Sequence, residues 1–162
     1  MTPDVAERYR TGLIALAREQ LDVAEPLLRS VVADAPDDPD PLAYLATAWI
    51  VMGKVDAAQE AMHLALTLGP DRFAPNLKGG ELDLRLGDLD AATRHFRRAL
   101  EVAPHGSSDA AAARTLLAEA RRRARKSITR QAVLPSWGWP AWRHRSAKGR
   151  SRQPVEDGGS IE

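Results

Sequence analysis

The chain has 162 residues, enough for one domain with length to spare, and an ordinary apolar share of 44% that includes only 5% aromatics. With no cysteine, disulfides, thiolate metal sites and cysteine nucleophiles are excluded. No apolar run reaches the ~18 residues of a membrane span, and residues 1–20 lack the basic-then-apolar layout of a signal peptide, so a reducing cytoplasmic setting is expected.

The net charge of +1 conceals a polarised chain. Residues 1–120 hold 12 basic and 19 acidic groups (−7), residues 121–155 hold 11 basic and none acidic (+11), and residues 156–162 add −3. An acidic body and a basic tail attract each other at low salt. Arginine dominates the basic residues, with lysine only at 54, 78, 126 and 148, which reads as a GC-rich bacterial genome. Alanine and leucine supply most of the apolar residues, a composition that suits close-packed helices better than a sheet. The expected class is all-α.

One spacing organises the chain. Pro36, Pro70 and Pro104 recur every 34 residues, as do Ala24, Ala58 and Ala92, the pair Gly53 and Gly87, and the pair Leu66 and Leu100. The units run 5–38, 39–72 and 73–106, each predicted to be two helices. In the first unit Glu19 stands where the others have a turn glycine, and Pro26 is expected near the first turn of its helix, where a lost hydrogen bond is cheap. In the second, Leu42, Leu45, Ala46, Trp49 and Met52 follow helical spacing, and so do Ala58, Ala61, Met62, Ala65 and Leu66. Gly53 ends the first of these helices, Asp56 is expected to cap the second, and Pro70 closes the unit. In the third, Gly79 and Gly80 fall mid-helix at roughly 1 kcal/mol each against alanine, so this helix is expected to be the weakest or most bent. Beyond Pro104, one of Ser107, Ser108 and Asp109 is expected to cap a helix over 108–127 that turns Ala113, Leu116, Leu117 and Ala120 inward and leaves its arginines wet, sealing the array.

The period, the turn that recurs as Gly53-Lys-Val-Asp-Ala-Ala and Gly87-Asp-Leu-Asp-Ala-Ala, the paired alanines and the closing prolines resemble the tetratricopeptide repeat over about residues 5–106. Asp83 departs from the pattern, standing where a large aromatic is usual. The resemblance implies an α–α superhelix of three hairpins plus a capping helix, a domain over 5–127, and a partner held on the concave surface. Carried over by position, that surface comprises Ala6, Tyr9, Arg10, Leu13 and Leu16, then Asp40, Ala43, Tyr44, Thr47, Ile50 and Val51, then Ala74, Leu77, Lys78, Glu81, Leu84 and Arg85. Tyr9, Arg10, Leu13, Tyr44, Thr47, Ile50, Lys78, Glu81 and Arg85 are the expected binding residues, whereas Leu16, Val51 and Leu84 read as core. Chaperone-binding members hold a terminal carboxylate with Lys and Asn. Tyr9, Leu13 and Tyr44 occupy three of those positions here, so the resemblance implies no such clamp. An apolar surface with two tyrosines and a charged rim suits an amphipathic helix or an extended apolar segment.

Residues 128–162 read as a basic, tryptophan-rich flexible tail, disordered or extended. Trp137, Trp139 and Trp142, three of the four tryptophans, fall within six residues of it and form a candidate docking motif. Four destinations stay open: the chain's own groove or that of a second copy, a separate protein, a membrane headgroup region, and, least favoured, nucleic acid.

No catalytic constellation is visible. Gly79-Gly80 is followed by Glu and Leu rather than the Lys-Ser/Thr of a phosphate loop, and no His-Glu-x-x-His occurs. His63, His95, His105 and His144 are scattered, and acid pairs such as Asp37-Asp38 and Asp88/Asp90 sit in turns where capping explains them. The expectation is a non-enzymatic adaptor, scaffold or dedicated chaperone without cofactor or metal. The alternative is a peripheral membrane or assembly factor anchored by its tail, or a protein that self-associates through it.

Overall fold

The structure, a computed structural model, describes residues 2–132, with side chains described through Ser127. Its elements are α1 (Pro3–Ala17), α2 (Leu21–Asp34), α3 (Pro39–Val51), α4 (Val55–Leu68), α5 (Phe73–Leu86), α6 (Leu89–Val102) and α7 (Ser108–Ala132), with no strand among the described residues. Each predicted unit is one antiparallel hairpin. Pairs α1–α2, α3–α4 and α5–α6 pack side by side, α2 meets α3 and α4 meets α5 between units, and α7 lies on α6. The first helices also touch in series, α1 on α3, α3 on α5 and α5 on α7, whereas α2, α4 and α6 do not touch one another. That asymmetry curves the stack and puts α1, α3, α5 and α7 on the inside.

The close packing has a sequence cause. Gly12, Ala46 and Gly80 stand one period apart on the first helices, and Leu28, Met62 and Phe96 one period apart on the second. A Cβ on Gly80 would lie 2.6 Å from Phe96 Cδ1 and Cε1, and one on Gly12 would lie 3.2 Å from Leu28 Cγ. Phe96 is wholly buried, so its ring has nowhere to retreat. Gly80 therefore admits the Phe96 ring, Gly79 stands against Leu66 and His95, and α5 runs unbroken through both residues. Carried to α7, the same column reaches Arg114, which is exposed, no second helix standing beside α7 among the described residues. Alanine lines the other contacts. One core cluster gathers Ala43, Ala46, Ala58, Ala61 and Ala65 with Leu42, Met62 and Leu82, and another gathers Ala92, Ala99, Ala113 and Ala120 with Leu77, Phe96 and Leu117.

The turns follow the period even where the residue does not. Gly53 and Gly87 take φ 78° and 85°, and Glu19 adopts the same left-handed geometry with φ 58°. A side chain there costs roughly 1 kcal/mol that glycine avoids. Helix starts are partly as expected: Asp38 accepts from the Asp40 amide at 3.2 Å, Asp88 from the Ala91 amide at 2.8 Å, and Ser107 from the Ala110 amide at 3.0 Å. Asp56 is not a cap. Lys54 holds that position without a side-chain bond, leaving Asp56 in the first turn of α4 where it favours the positive helix end. Pro26 also lies deeper than expected, the sixth residue of α2, so the missing donor is the one that would serve the carbonyl of exposed Asp22. Helix α7 continues to Ala132, past the Ser127 at which the sequence ends it.

Two buried polar side chains help tie units together. Asn76, buried, donates to the carbonyls of Pro70 at 2.8 Å and Arg72 at 2.7 Å, fixing the turn into α5. Glu25, also buried, accepts from Trp49 Nε1 at 3.0 Å and pairs with Arg29. The indole bond, then Arg29, hold its carboxyl below the usual range against the opposing effect of burial. The link therefore stabilises the fold above the ordinary carboxylate value and is lost as pH falls through the lowered one.

Two substitutions test this account of the backbone. Gly80→Ala lowers stability by about 1–3 kcal/mol in denaturant melts despite alanine's better helix propensity, and Phe96→Leu in the same chain recovers part of the loss. Glu19→Gly raises stability by up to about 1 kcal/mol, read as a higher Tm.

Candidate protein-binding groove

The inside of the curve repeats in register. Arg10, Tyr44 and Lys78 share one position of the period, Leu13, Thr47 and Glu81 the next, and Ala17, Val51 and Arg85 a third. Near the C-terminal ends of α1, α3 and α5 these rows enclose an open cleft of about 500 Å³. Its apolar wall is Leu13, Leu16, Ala17 and Leu21, facing Tyr44 and Val51. Thr47 and Glu19 complete that side, and Lys78 and Arg85 form the basic wall of α5.

Tyr44 is the centre of the polar contacts. Its ring meets Tyr9 edge-on with centroids 6.1 Å apart and planes at 66°, and Lys78 Nζ sits 5.4 Å from its centroid. Lys78 also pairs with Glu81 at 3.0 Å, so much of its charge is answered within the protein. Arg85 is exposed and forms no ion pair among the described residues, which leaves it available to a ligand. Asp40 is engaged by Arg72 at 2.5 Å.

The expected surface is thus brought together only in part. Leu13, Tyr44, Thr47, Lys78 and Arg85 line the cleft. Tyr9 supports it through Tyr44, Glu81 through Lys78, and Arg10 stays exposed on the rim. Ile50 does not line it: it packs on the core cluster of Leu42, Ala46 and Met62. Ala43, Ala74 and Leu77 are buried in the same way, and Leu84 packs on the second cluster. Val51 corrects the expectation in the other direction, being 42% exposed at the mouth, and half-buried Leu16 lines the wall rather than the core. Ala17, the last residue of α1, Leu21, the first of α2, and Glu19 in the turn between them were missed because they stand at or beyond the end of the first helix. The docking motif of Trp137, Trp139 and Trp142 lies outside the described residues.

Burial pushes the phenols of both Tyr9 and Tyr44 upward, above their ordinary value of 10. The stability they contribute is fully present below pH 10, where the unfolded phenols titrate, and is lost as pH rises toward the folded values. They are the chain's two tyrosines, so phenolate absorbance reports this site alone. In a spectrophotometric titration the signal should appear above pH 10 together with loss of helicity. Two phenols titrating at their ordinary value in an intact helical protein would contradict the packing described.

Among known proteins, the tetratricopeptide repeat family model matches residues 15–77. A probable assembly chaperone of rpl4 from Emericella nidulans is 33% identical over 75 residues, which is 44% of this chain but only a fifth of that relative's length. Of solved structures, the Sgt2 tetratricopeptide domain from Aspergillus fumigatus aligns over 98% of this chain and 92% of its own with TM-score 0.67 and 22% identity. PcrH in complex with the chaperone binding region of PopD aligns over 76% of this chain and 96% of its own with TM-score 0.61 and 20% identity. At those identities the two structures speak to fold alone. Taken with the helical stack and the period, the family match shows tetratricopeptide repeats over residues 15–77, and the solved structures show the same fold.

Proposed function

We propose that the chain is a non-catalytic adaptor or dedicated chaperone that holds a helix or extended apolar segment of a partner protein on the surface of α1, α3, α5 and α7. The observation that carries this reading is the cleft itself. Leu13, Leu16, Leu21 and Val51 converge with Tyr44 on an open depression of about 500 Å³, a size suited to one or two large apolar side chains. Apolar anchors seated in such a depression, ringed by polar groups that exclude water, are how a small interface gains most of its affinity. Lys78 and Arg85 on one wall favour a segment that carries an acidic residue next to its apolar anchor. The relatives' own names agree with a holding role, one being termed a probable assembly chaperone and PcrH being captured with a segment of PopD.

Catalysis has no machinery to draw on among the described residues. His95 Nδ1 lies 2.7 Å from Asp83 Oδ2, but the pair bridges α5 to α6 with no nucleophile beside it. No group of His, Asp and Glu there has metal-binding geometry.

The test is capture by affinity purification with mass spectrometry, comparing the full chain with two variants. Tyr44→Ala with Leu13→Ala removes two lining side chains that belong to neither core cluster, and Val51→Glu places a charge at the exposed mouth. Each should cut recovery of the specific partners at least tenfold while circular dichroism stays unchanged. Equal recovery from folded variants would refute the groove as the binding site.

A further inference from the structure

Large apolar side chains are not exposed evenly over the stack. Of the eight exposed among the described residues, Ile14, Val23, Val51, Met52, Val55 and Leu86 all lie within a few residues of a turn that joins the two helices of a hairpin. Only Leu64 and Leu68 stand toward the opposite end, where one unit passes into the next. Val51 serves the mouth of the cleft, but Met52, Val55 and Leu86 sit at the second and third turns, outside its lining. Ile14 and Val23 belong to the first hairpin, and their equivalents in the third unit, Leu82 and Ala91, are buried. Scattered singly, such residues need no explanation, whereas gathered at one end they mark a surface that another molecule covers.

Helix α7 gives that end its shape. Arg121 stands one period after Gly87, Gly53 and Glu19, the left-handed residues at which the earlier first helices reverse. No reversal occurs at Arg121, and α7 runs on to Ala132, so residues 121–132 project beyond the row of turns. The projection is about 18 Å long. Its corner with the third turn is an open depression of about 270 Å³ lined by Gly87, Asp88, Leu89, Asp90, Ala124 and Ser127. Small residues on the α7 side let another backbone come close. Charge is ordered along the same end. The first turn carries Arg18 followed by Glu19 and Asp22, and the third carries Asp88 and Asp90. On the projection, Arg121 and Lys126 are exposed and form no ion pair among the described residues.

We infer that this end of the stack is the interface of a two-fold dimer, the molecule that covers it being a second copy of the chain. An axis through the second turn sets Met52 and Val55 against their own counterparts, and the third turn of each copy against the first turn of the other. Arg18 of the second copy then meets Asp88 and Asp90, while Glu19 and Asp22 of the second copy meet Arg121 and Lys126. The projection runs along the outer side of the second copy's first hairpin, with Ala124 and Ser127 toward Ile14 and Val23 of the second copy. One patch thus supplies both halves of every contact, as a two-fold interface requires. An apolar centre flanked by complementary charges gives such a contact both affinity and register. An unrelated partner would have to carry an acidic turn, an apolar row and a basic arm in matching order, whereas a second copy does so by rotation alone.

Sedimentation velocity of the full chain tests this. The protein should run at twice the 17.7 kDa of one chain at micromolar concentration, and the mass should rise no further as concentration increases. Met52→Glu with Leu86→Glu, both at exposed positions, should weaken association at least tenfold while circular dichroism stays unchanged. Arg121→Glu should weaken it severalfold, and Glu19→Arg added to the same chain should restore part of the loss. The groove variant Tyr44→Ala with Leu13→Ala should dimerise as the parent does, which separates this surface from the cleft. A monomer at the highest soluble concentration, a mass that climbs past the dimer, or a folded Met52→Glu, Leu86→Glu chain that associates as tightly as the parent would each overturn the inference.

Discussion

The stack rests on one pair of positions: a small residue on the first helix of each hairpin opposite a large one on the second. Gly80 and Phe96 show it at its tightest, with no room for a methyl group between backbone and ring. Gly12 against Leu28 is looser, and Ala46 shares a core cluster with the more pliable Met62. Because the pairing recurs at one period, every hairpin has nearly the same shape, and identical shapes stacked in series must bend the same way each time. Side-chain volume in the wall between paired helices thus keeps the hairpins alike, and the contacts of the first helices in series give the stack its curve.

Once the curve exists, the inner surface has its own logic. First helices are close neighbours in series, so residues one period apart form rows across the concave side rather than isolated spots. Position for position, Arg10, Tyr44 and Lys78 make one row and Ala17, Val51 and Arg85 another, each passing from the first unit to a basic residue on α5. The outer residues meet different demands. Glu7, Thr11 and Ile14 are exposed on α1, whereas the equivalent Pro41, Leu45 and Ala48, and Pro75, Gly79 and Leu82, are buried beneath a preceding hairpin. Polar residues at two of those three places let the first unit face water.

Much of this was legible in the primary structure, and the failures share a cause. The pairing of helices came from recurrences that any pairwise comparison of the units exposes, and the inward face of the last helix from its apolar spacing. Propensity arguments fared worse. The glycine pair in α5 reads as weakness when weighed against alanine alone, because the reason for it is Phe96, on another helix. Glu19 stands where the other units have a turn glycine, yet it takes the same left-handed conformation. In the groove, sequence register located the rows but not their depth. Ile50 and Val51 are adjacent, and only the stacked structure shows that the first packs on the core while the second opens to water. The α1–α2 turn was overlooked for a related reason: a wall supplied by a connection carries no periodic signature.

Arg114 has a meaning that the repeats before it do not. It occupies the place on α7 that Gly12, Ala46 and Gly80 hold on the earlier helices, where bareness is what admits a companion. Seating a further helix against α7 in the manner of α2, α4 or α6 would therefore call for glycine or alanine at position 114.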